Sequence, residues 1–188
     1  MAAFTVLYDA CVLYPAPLRD LLMELAQTRL FHARWTDEIH NEWISKLAEN
    51  RPDIAEKLQR TRELMNKAVP DCLVCDYQDL VPGLTLPDPE DRHVLAAAIR
   101  CGASVVVTSN LKHFPAEYLN KFGIDPQHPD EFISNQFDLN PPVACGAIKR
   151  VRQRLKKPPK TLDEYIDTLA QQSLPRTVYR MKAFETLI

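Results

Sequence analysis

Short apolar segments alternate with amphipathic helical segments over residues 4–125 of this 188-residue chain. The runs FTVLY (4–8) and SVVVT (104–108) have the unbroken apolar or β-branched character of strands buried in a sheet. LFHARW (30–35) and CLVC (72–75) predict two more short strands. The segment PLRDLLMELAQTRL carries leucines at helical spacing. Strands that alternate with helices predict βαβ units, and therefore an α/β fold with a parallel sheet.

Capping residues mark several helix ends. Thr36 precedes a helix whose first turn carries two acids, which the helix dipole favours. Asp88, followed by a proline, marks a second helix N-terminus, and Gly102 is placed to end that helix in the left-handed conformation. Thr161 and Glu164 have the cap and N3 spacing of a capping box.

The character of the chain changes near residue 125. The segments IDPQHPDEF and DLNPPV contain prolines and are interpreted as joints, and no strong strand signal follows them. Three further helices are predicted, at residues 141–155, 161–172 and 175–187. We therefore expect two parts, a sheet domain over residues 1–125 and an α-helical extension over residues 126–188 that packs on it.

Composition and charge are those of an ordinary globular domain. The net charge of −2 gives no global attraction to nucleic acid, so any contact with a polyanion has to come from a local patch. No apolar stretch approaches the about 20 residues of a membrane span, and no basic segment precedes an apolar run at the start, so we expect a cytoplasmic protein. Of the five cysteines only Cys72 and Cys75 have zinc-like spacing, and without a second pair reduced structural cysteines are the better interpretation.

Four acidic or amide residues stand at segment ends where a parallel sheet would gather them. Asp9 follows the first strand, Glu42 lies on the helix after the second, Asp91 opens a later helix, and Asn110 follows VVVTS. Ligands of open α/β sheets bind outside the carboxyl ends of the strands, so these side chains are expected to share one crevice. Grouped carboxylates repel one another, and a bound Mg²⁺ or Mn²⁺ with oxygen ligands relieves the repulsion. The pattern is typical of a metal-dependent phosphodiesterase.

Each of these residues, taken singly, has an ordinary structural explanation. Asp9 and Asn110 could be turn residues that bond their own backbone. Asp91 in a first helical turn is stabilised by the dipole, and Asp88 is explained by its role as an N-cap. Glu42 borders the apolar stripe of its helix and could be a surface residue. The functional interpretation therefore depends on the order and the context of all of them together.

That order resembles the PIN-domain family, which includes the VapC ribonuclease toxins of toxin–antitoxin pairs. The resemblance covers residues 4–125 and is carried by LYDACVLYPAPLRDLL and LPDPEDRHVLAAAIRCGASVVVTSNLKHFP. It implies a three-layer α/β/α fold and Mg²⁺- or Mn²⁺-dependent cleavage of RNA, with a cognate antitoxin as partner and a homodimer as the assembly to test. The C-terminal helices resemble the extension of a longer VapC-like subgroup.

The resemblance also assigns roles to residues. It implies that Asp9, Glu42 and Asp91 hold the metal and that Glu42 could take a proton from the attacking water. Asn110 and Thr108 belong to a TxN element and would orient a water or a ligand carboxylate. Where many relatives have an acid before the phenylalanine of this element, this chain has His113, which puts a fourth carboxylate in doubt. Further candidates for the outer shell or for the substrate are Asp88, Thr108, Ser109, Lys112 and His113.

A basic run near the C-terminus offers a polyanion contact. It contains no acid, and its six candidate RNA-binding residues are Lys149, Arg150, Arg152, Arg154, Lys156 and Lys157. A solubilising helix face or a contact with an acidic antitoxin segment explains the run equally well.

Other functional classes fit less well. A receiver domain needs adjacent acids after the first strand, and a haloacid-dehalogenase-type phosphatase needs Asp where the chain has Cys11. A cysteine phosphatase needs Arg where it has Pro17. The remaining alternative is a non-catalytic module with the same fold that binds RNA or a protein, although three retained acids favour catalysis.

Overall fold

The computed structural model of the protein describes residues 4–188. Its centre is a four-stranded parallel sheet in the order β2-β1-β3-β4. The strands are β1 (Phe4–Tyr8), β2 (Phe31–Arg34), β3 (Val105–Val107) and β4 (Asp125–Gln127). The predicted α/β class and the parallel sheet are thus confirmed.

The helices account for most of the remaining chain. They are α1 (Ala10–Leu13), α2 (Ala16–Ala26), α3 (Asp37–Asn50), α4 (Ala55–Ala68), α5 (Arg92–Arg100), α6 (Ala116–Leu119), α7 (Pro129–Leu139), α8 (Pro141–Arg154), α9 (Leu162–Ala170) and α10 (Pro175–Ala183). Short 3-10 helices lie at Pro52–Ile54, Gln78–Gly83, Pro89–Asp91, Leu111–His113, Asn120–Phe122 and Glu185–Leu187.

The sheet is covered on both faces, which makes the fold three-layered. The chain moves from β1 to β2 in one direction and from β2 to β3 in the other, so right-handed crossovers place α2 and α5 on opposite faces. Helix α5 contacts β1 and β3. On the α2 side, the hydroxyl of Tyr8 donates to the carbonyl of Leu22, and Phe132 of α7 packs edge-on against Tyr8 and Phe31. The predicted α/β/α arrangement is confirmed.

The C-terminal helices pack on the sheet domain, as predicted. Helix α8 contacts α2, and α10 contacts α7. The side chain of Glu24 on α2 is buried and accepts hydrogen bonds from Arg150 and Arg154 of α8. Asp130 of α7 accepts from the backbone N–H groups of Arg176 and Thr177, at 2.9 and 2.8 Å, and so caps the first turn of α10.

Two sequence expectations need correction. CLVC is not a strand, because only Leu73 forms a single parallel bridge, with Trp35, and Cys75 is exposed. The segment interpreted as a joint contains β4, which pairs with β3 at the sheet edge, and helix α7. Pro126 argued against a strand in this segment, but a proline is tolerated in an edge strand such as β4. The predicted boundary between residues 125 and 126 falls within β4 and stays a prediction, and residues 1–3 of the first domain lie outside the described residues.

The predicted caps are present. The hydroxyl of Thr36 accepts from the N–H of Ile39, and the carboxylate of Asp88 accepts from the N–H of Glu90. Gly102 has a φ of +64°, which is the left-handed region that favours glycine. Both hydrogen bonds of the Thr161 capping box are formed. Over residues 4–188, no helix combines the length and the apolar character needed to cross a membrane.

Candidate active site

The first acid of the site follows the central strand directly. Asp9 is the residue after β1, and its side chain is only 4% exposed. Its Oδ2 accepts a hydrogen bond from the hydroxyl of Thr108 at 2.7 Å and from the thiol of Cys11 at 3.0 Å. Thr108 is the residue after β3, so neighbouring strand ends bring these side chains together, as the parallel sheet predicted.

Backbone groups of the TSN element complete this network. The N–H of Ser109 donates to the sulfur of Cys11 at 3.2 Å, and the N–H of Asn110 donates to the oxygen of Thr108 at 3.0 Å. Burial, followed by the nearby charge of Asp9, raises the pKa of the Cys11 thiol to about 12. The thiol is therefore a neutral donor at physiological pH. Asp9 is held by neutral groups.

A second acidic group lies at the N-terminus of α5. Asp91 Oδ2 is 2.8 Å from the Nδ1 atom of His113, and Asp88 Oδ2 is 3.6 Å from the same nitrogen. Burial raises the pKa of Asp91, the charges of Asp9 and Asp88 raise it further, and the hydrogen bond with His113 opposes them. Asp9 and Asp91 both line the same cleft, which is described below.

Glu42 has a histidine partner of its own. The Nε2 atom of the buried His93 lies 2.6 Å from Glu42 Oε1, and its Nδ1 atom lies 3.6 Å from Glu38 Oε2. Burial alone would lower the pKa of His93, but the hydrogen bond and charge of Glu42, with Glu38 and Asp9, outweigh it and raise the pKa. The hydroxyl of Tyr77 donates to Glu38 at 2.9 Å, so Glu38 is held in place although it is half-exposed.

One open cleft of about 1030 Å³ connects these groups. Asp9, Glu42, Asp91 and Asn110 all line it, and so does Asp88. Thr108 and His113 reach it through their hydrogen bonds to acids that line it, whereas Ser109 and Lys112 are exposed beside it. The structure therefore brings the four principal candidates together, and the role of each stays a prediction.

The cleft is strongly acidic. Its described lining includes one lysine, Lys46, and these acids: Asp9, Glu38, Glu42, Glu49, Asp88, Glu90 and Asp91. Within residues 4–188, the ion pairs of Glu38, Glu42, Asp88 and Asp91 are all with histidine, whereas every other ion pair uses arginine. The acids of the cleft thus lack a permanent positive partner, which is the condition in which a cation would bind.

The structure groups the donor atoms differently from the predicted metal set. Over the described residues, three side chains each offer a ligand atom within 4.8 Å of the others, namely Asp88, Asp91 and His113. The predicted set of Asp9, Glu42 and Asp91 shares the cleft without forming so close a cluster.

The basic run is largely used within the protein. Arg150 and Arg154 pair with Glu24, and Arg152 donates to the carbonyl oxygens of Lys160 and Ile188. Lys149, Lys156 and Lys157 are exposed. The predicted RNA-binding role is not tested, and these three lysines are the members of the run that are not committed to these contacts.

Sequence reasoning missed the groups that hold the acids. His93 is two residues after Asp91, within DPEDRHVL, and a histidine so close to a candidate ligand was the one available signal. Glu38 is one of the two acids that the helix dipole alone would explain, but its position one turn before Glu42 places both on the cleft side of α3. The contacts of Tyr77 with Glu38 and of Cys11 with Ser109 gave no signal, because they join segments that are distant in sequence.

Comparison with known protein families agrees with this geometry. The profile described as the PIN domain matches residues 5–112, which is more than half of the chain. The chain belongs to the PIN-domain family. Residues 129–183 match the family described as the VapC50 C-terminal domain. A PIN domain followed by this helical unit makes the chain a VapC-like PIN protein with a C-terminal extension, as the sequence resemblance indicated.

A curated relative supports the same placement. A protein of Mycobacterium tuberculosis named "Putative ribonuclease VapC50" is 40% identical over 96 residues. The matched region is 51% of this chain and 56% of the relative, so it spans little more than half of that protein. No solved structure matches the chain significantly.

Proposed function

We propose that this PIN protein is a metal-dependent endoribonuclease and the toxin of a toxin–antitoxin pair. The observation that carries the proposal is the convergence of Asp9, Glu42, Asp91 and Asn110 on one acidic cleft at the carboxyl ends of the strands. The name of the relative supports ribonuclease as the activity. RNA is the proposed substrate, an antitoxin and a second copy of the chain are the proposed partners, and the cytoplasm is the proposed site of action.

The residues of the cleft fit a hard divalent cation. Asp9 is a nearly buried carboxylate held only by a hydroxyl and a thiol, and burying such a charge is costly unless a cation or further donors compensate it. Carboxylate oxygens are the ligands that Mg²⁺ and Mn²⁺ prefer. Asp9, Asp91 and Glu42 would hold the ion, directly or through water. When bound, such an ion lowers the pKa of water and stabilises negative charge on a phosphoryl group.

The side chains around these acids have defined tasks in this proposal. Thr108 and Cys11 fix the carboxylate of Asp9, and His93 fixes that of Glu42. Glu42 is placed to accept the proton of the attacking water, and Asn110 offers an amide to a water or a phosphate oxygen. Attack by water, with the 3′ oxygen as the leaving group, yields a 5′-phosphate and a 3′-hydroxyl.

Purified full-length protein should cleave single-stranded RNA in Mg²⁺ or Mn²⁺ and stop doing so in excess EDTA. Asp91→Asn and Glu42→Gln should each lower the rate by at least about a hundredfold. Asp167→Asn, which changes an exposed acid on α9, is the matched control and should cleave like the parent. Equal rates for all four proteins would refute the assignment. Mapping the 5′ ends of the products would test the proposed chemistry.

A growth assay tests the biological part of the proposal. Expression of the parent alone should arrest growth, and co-expression of the cognate antitoxin should relieve the arrest. Asp91→Asn should be tolerated without the antitoxin, at an equal protein level. An equally toxic Asp91→Asn variant would show that cleavage is not the cause of the arrest.

A non-catalytic binding module is the second candidate. It is favoured by the histidine partners of Glu42 and Asp91, because a protonated imidazole neutralises a carboxylate without any metal. This candidate predicts RNA binding that is unaffected by EDTA and leaves the RNA intact. The cleavage assay above separates the two functions.

A further inference from the structure

The cluster of Asp88, Asp91 and His113 contains a nitrogen donor beside two carboxylates. The Nδ1 atom of His113 is 2.8 Å from Asp91 Oδ2 and 3.6 Å from Asp88 Oδ2. Neighbouring ligand atoms of an octahedral ion with bonds of about 2.1 Å lie about 3 Å apart, so the two measured distances bracket that separation. Both distances from Nδ1 therefore suit ligands of a single ion, which would replace the hydrogen bond that now joins His113 to Asp91, and all three atoms lie within 4.8 Å of one another.

The backbone directs these atoms toward one another. Asp88 uses Oδ1 to cap the N–H of Glu90 at 3.0 Å, and its other oxygen, Oδ2, is the one nearest to His113. His113 ends a 3-10 turn in which its own N–H donates to the carbonyl of Asn110 at 2.8 Å. The following Phe114 is buried at 1% exposure and anchors the turn. Local structure thus holds the side chains of Asp88 and His113 in position, so an ion could bind without a large rearrangement of them.

We propose that His113 binds the divalent cation through Nδ1, together with Asp88 and Asp91, and that this nitrogen makes the cleft select transition-metal dications over Mg²⁺. The inference deepens the proposed function, because the ion is the one that cleavage would use. Asp91 belongs to both sets of ligands, and Asp9 and Glu42 would then reach the ion through water. Imidazole is a good ligand for first-row transition metals, whereas Mg²⁺ is bound mainly by oxygen. An acid at this position would give an all-oxygen set without that selectivity.

Spectroscopy on the full-length protein loaded with Mn²⁺ tests the contact directly. Pulsed electron paramagnetic resonance should detect ¹⁴N coupling from a bound imidazole in the parent. The coupling should be lost in His113→Asp and in His113→Gln, and it should persist in His93→Gln, which removes the other histidine of the cleft. Bound Mn²⁺ without ¹⁴N coupling, or a coupling that survives both His113 variants, would overturn the proposal.

Calorimetric titration tests the selectivity. The parent should bind Mn²⁺ at least about tenfold more tightly than Mg²⁺, and Co²⁺ more tightly than Mn²⁺. His113→Asp should reduce the preference for Mn²⁺ over Mg²⁺ by about tenfold while both ions still bind. Equal affinities in the parent, or an unchanged ratio in a folded His113→Asp protein, would contradict the proposal.

The two proposals can fail separately. If the parent binds Mn²⁺ without ¹⁴N coupling and still cleaves RNA, only the role of His113 is wrong. If the parent binds no divalent ion at all, the role of His113 and metal-dependent cleavage fail together. If ¹⁴N coupling is present but RNA stays intact, the metal site stands and the ribonuclease proposal falls.

Discussion

Asp9 and Glu24 are two carboxylates with the same exposure, 4% each, and opposite surroundings. Glu24 lies between α2 and α8, where Arg150 and Arg154 each bind one of its oxygens. Asp9 lies at the edge of the cleft and is held by the neutral groups of Thr108 and Cys11. A buried charge needs compensation in both places. The two arginines compensate the charge of Glu24 permanently. No charged side chain is paired with Asp9 in the described residues, and its charge could be compensated by a cation.

The difference separates the acids that arginine pairs with from the acids that we propose to bind a cation. Arginine stays charged at any physiological pH, so a carboxylate that it binds is satisfied without a ligand. Histidine can lose its proton near neutral pH, and the hydroxyl and thiol groups carry no charge, so a carboxylate that they hold has no permanent positive partner. By this criterion the acids of the cleft are the ones we propose to bind a cation, and the Glu24 pairs attach the C-terminal extension.

The largest expected effect is that of Asp9→Asn on cleavage. The rate should fall by about a thousandfold, because the amide binds a cation poorly, while the unfolding temperature without metal should not fall. The stabilisation by Mn²⁺ seen with the parent in thermal unfolding should disappear. Asp167→Asn again serves as the control. If Asp9→Asn is still stabilised by Mn²⁺ and cleaves within tenfold of the parent, Asp9 does not bind the cation and does not differ from Glu24 in this respect.

Removing both arginines of Glu24 should have the next largest effect, on stability. Arg150→Ala with Arg154→Ala leaves a buried carboxylate without a partner, a change that costs about 3–5 kcal/mol in fully buried pairs. These arginines are 52% and 58% exposed, so we expect about 2 kcal/mol from urea unfolding. The catalytic rate of the folded protein should not change.

Two variants control this experiment. Lys149→Ala with Gln153→Ala changes exposed residues of the same helix and should alter stability by less than about 0.5 kcal/mol. Adding Glu24→Met to the arginine variant should recover part of the loss, since the unpaired charge is then gone. If the arginine variant has the same free energy of unfolding as the parent, the charge of Glu24 is not compensated mainly by Arg150 and Arg154.

Thr108→Val should have an intermediate effect, centred on the cleft. The change keeps the shape of the buried side chain but removes the hydroxyl that binds Asp9 and the N–H of Asn110. We expect a loss of about tenfold in Mn²⁺ affinity and about 1 kcal/mol in stability. Thr108→Ser keeps the hydroxyl and should retain most of the affinity. Equal losses in both variants would point to packing as the cause.

The smallest expected effect is that of the exposed lysines at the end of α8. Replacing Lys149, Lys156 and Lys157 with alanine should leave stability unchanged and weaken RNA binding several-fold. If all three contact phosphates of a single strand, the slope of log K against log salt should fall by about 2. Lys57→Ala with Lys67→Ala removes exposed charge from α4 instead. A control that weakens binding equally would show that no particular patch is used.

Periodicity and local chemistry predicted much of the fold. FTVLY and VVV became buried strands, and Thr36, Gly102 and the Thr161 capping box act where the sequence placed them. These signals depend on neighbours within one turn or one strand. Where local signals conflicted with tertiary context the prediction was wrong. CLVC forms only a single bridge, with Trp35, whereas β4 pairs with the edge of β3 in spite of its proline.

Some residues of the candidate site could likewise be predicted from the sequence, and others could not. Its acids could be predicted, because a parallel sheet brings its strand ends to one edge whatever the details of packing. Thr108 was a candidate for orienting a carboxylate, but other partners could not be predicted, because the contacts of Asp9 with Cys11 and of Glu42 with His93 depend on the exact packing of the side chains. The basic run was the least predictable, because the use of Arg150 and Arg154 depends on where α8 crosses α2.

The sequence by itself determined the alternation of strands and helices over residues 4–125 apart from CLVC and β4, several helix ends, and the position of Asp9 directly after the first strand. Tertiary structure decided which charges are permanently compensated, through pairs such as Glu24 and Arg150 that lie 126 residues apart. The physical reason is range. Backbone propensity and capping act over a few residues, whereas the compensation of a buried carboxylate depends on which distant side chains packing brings within about 3 Å of it.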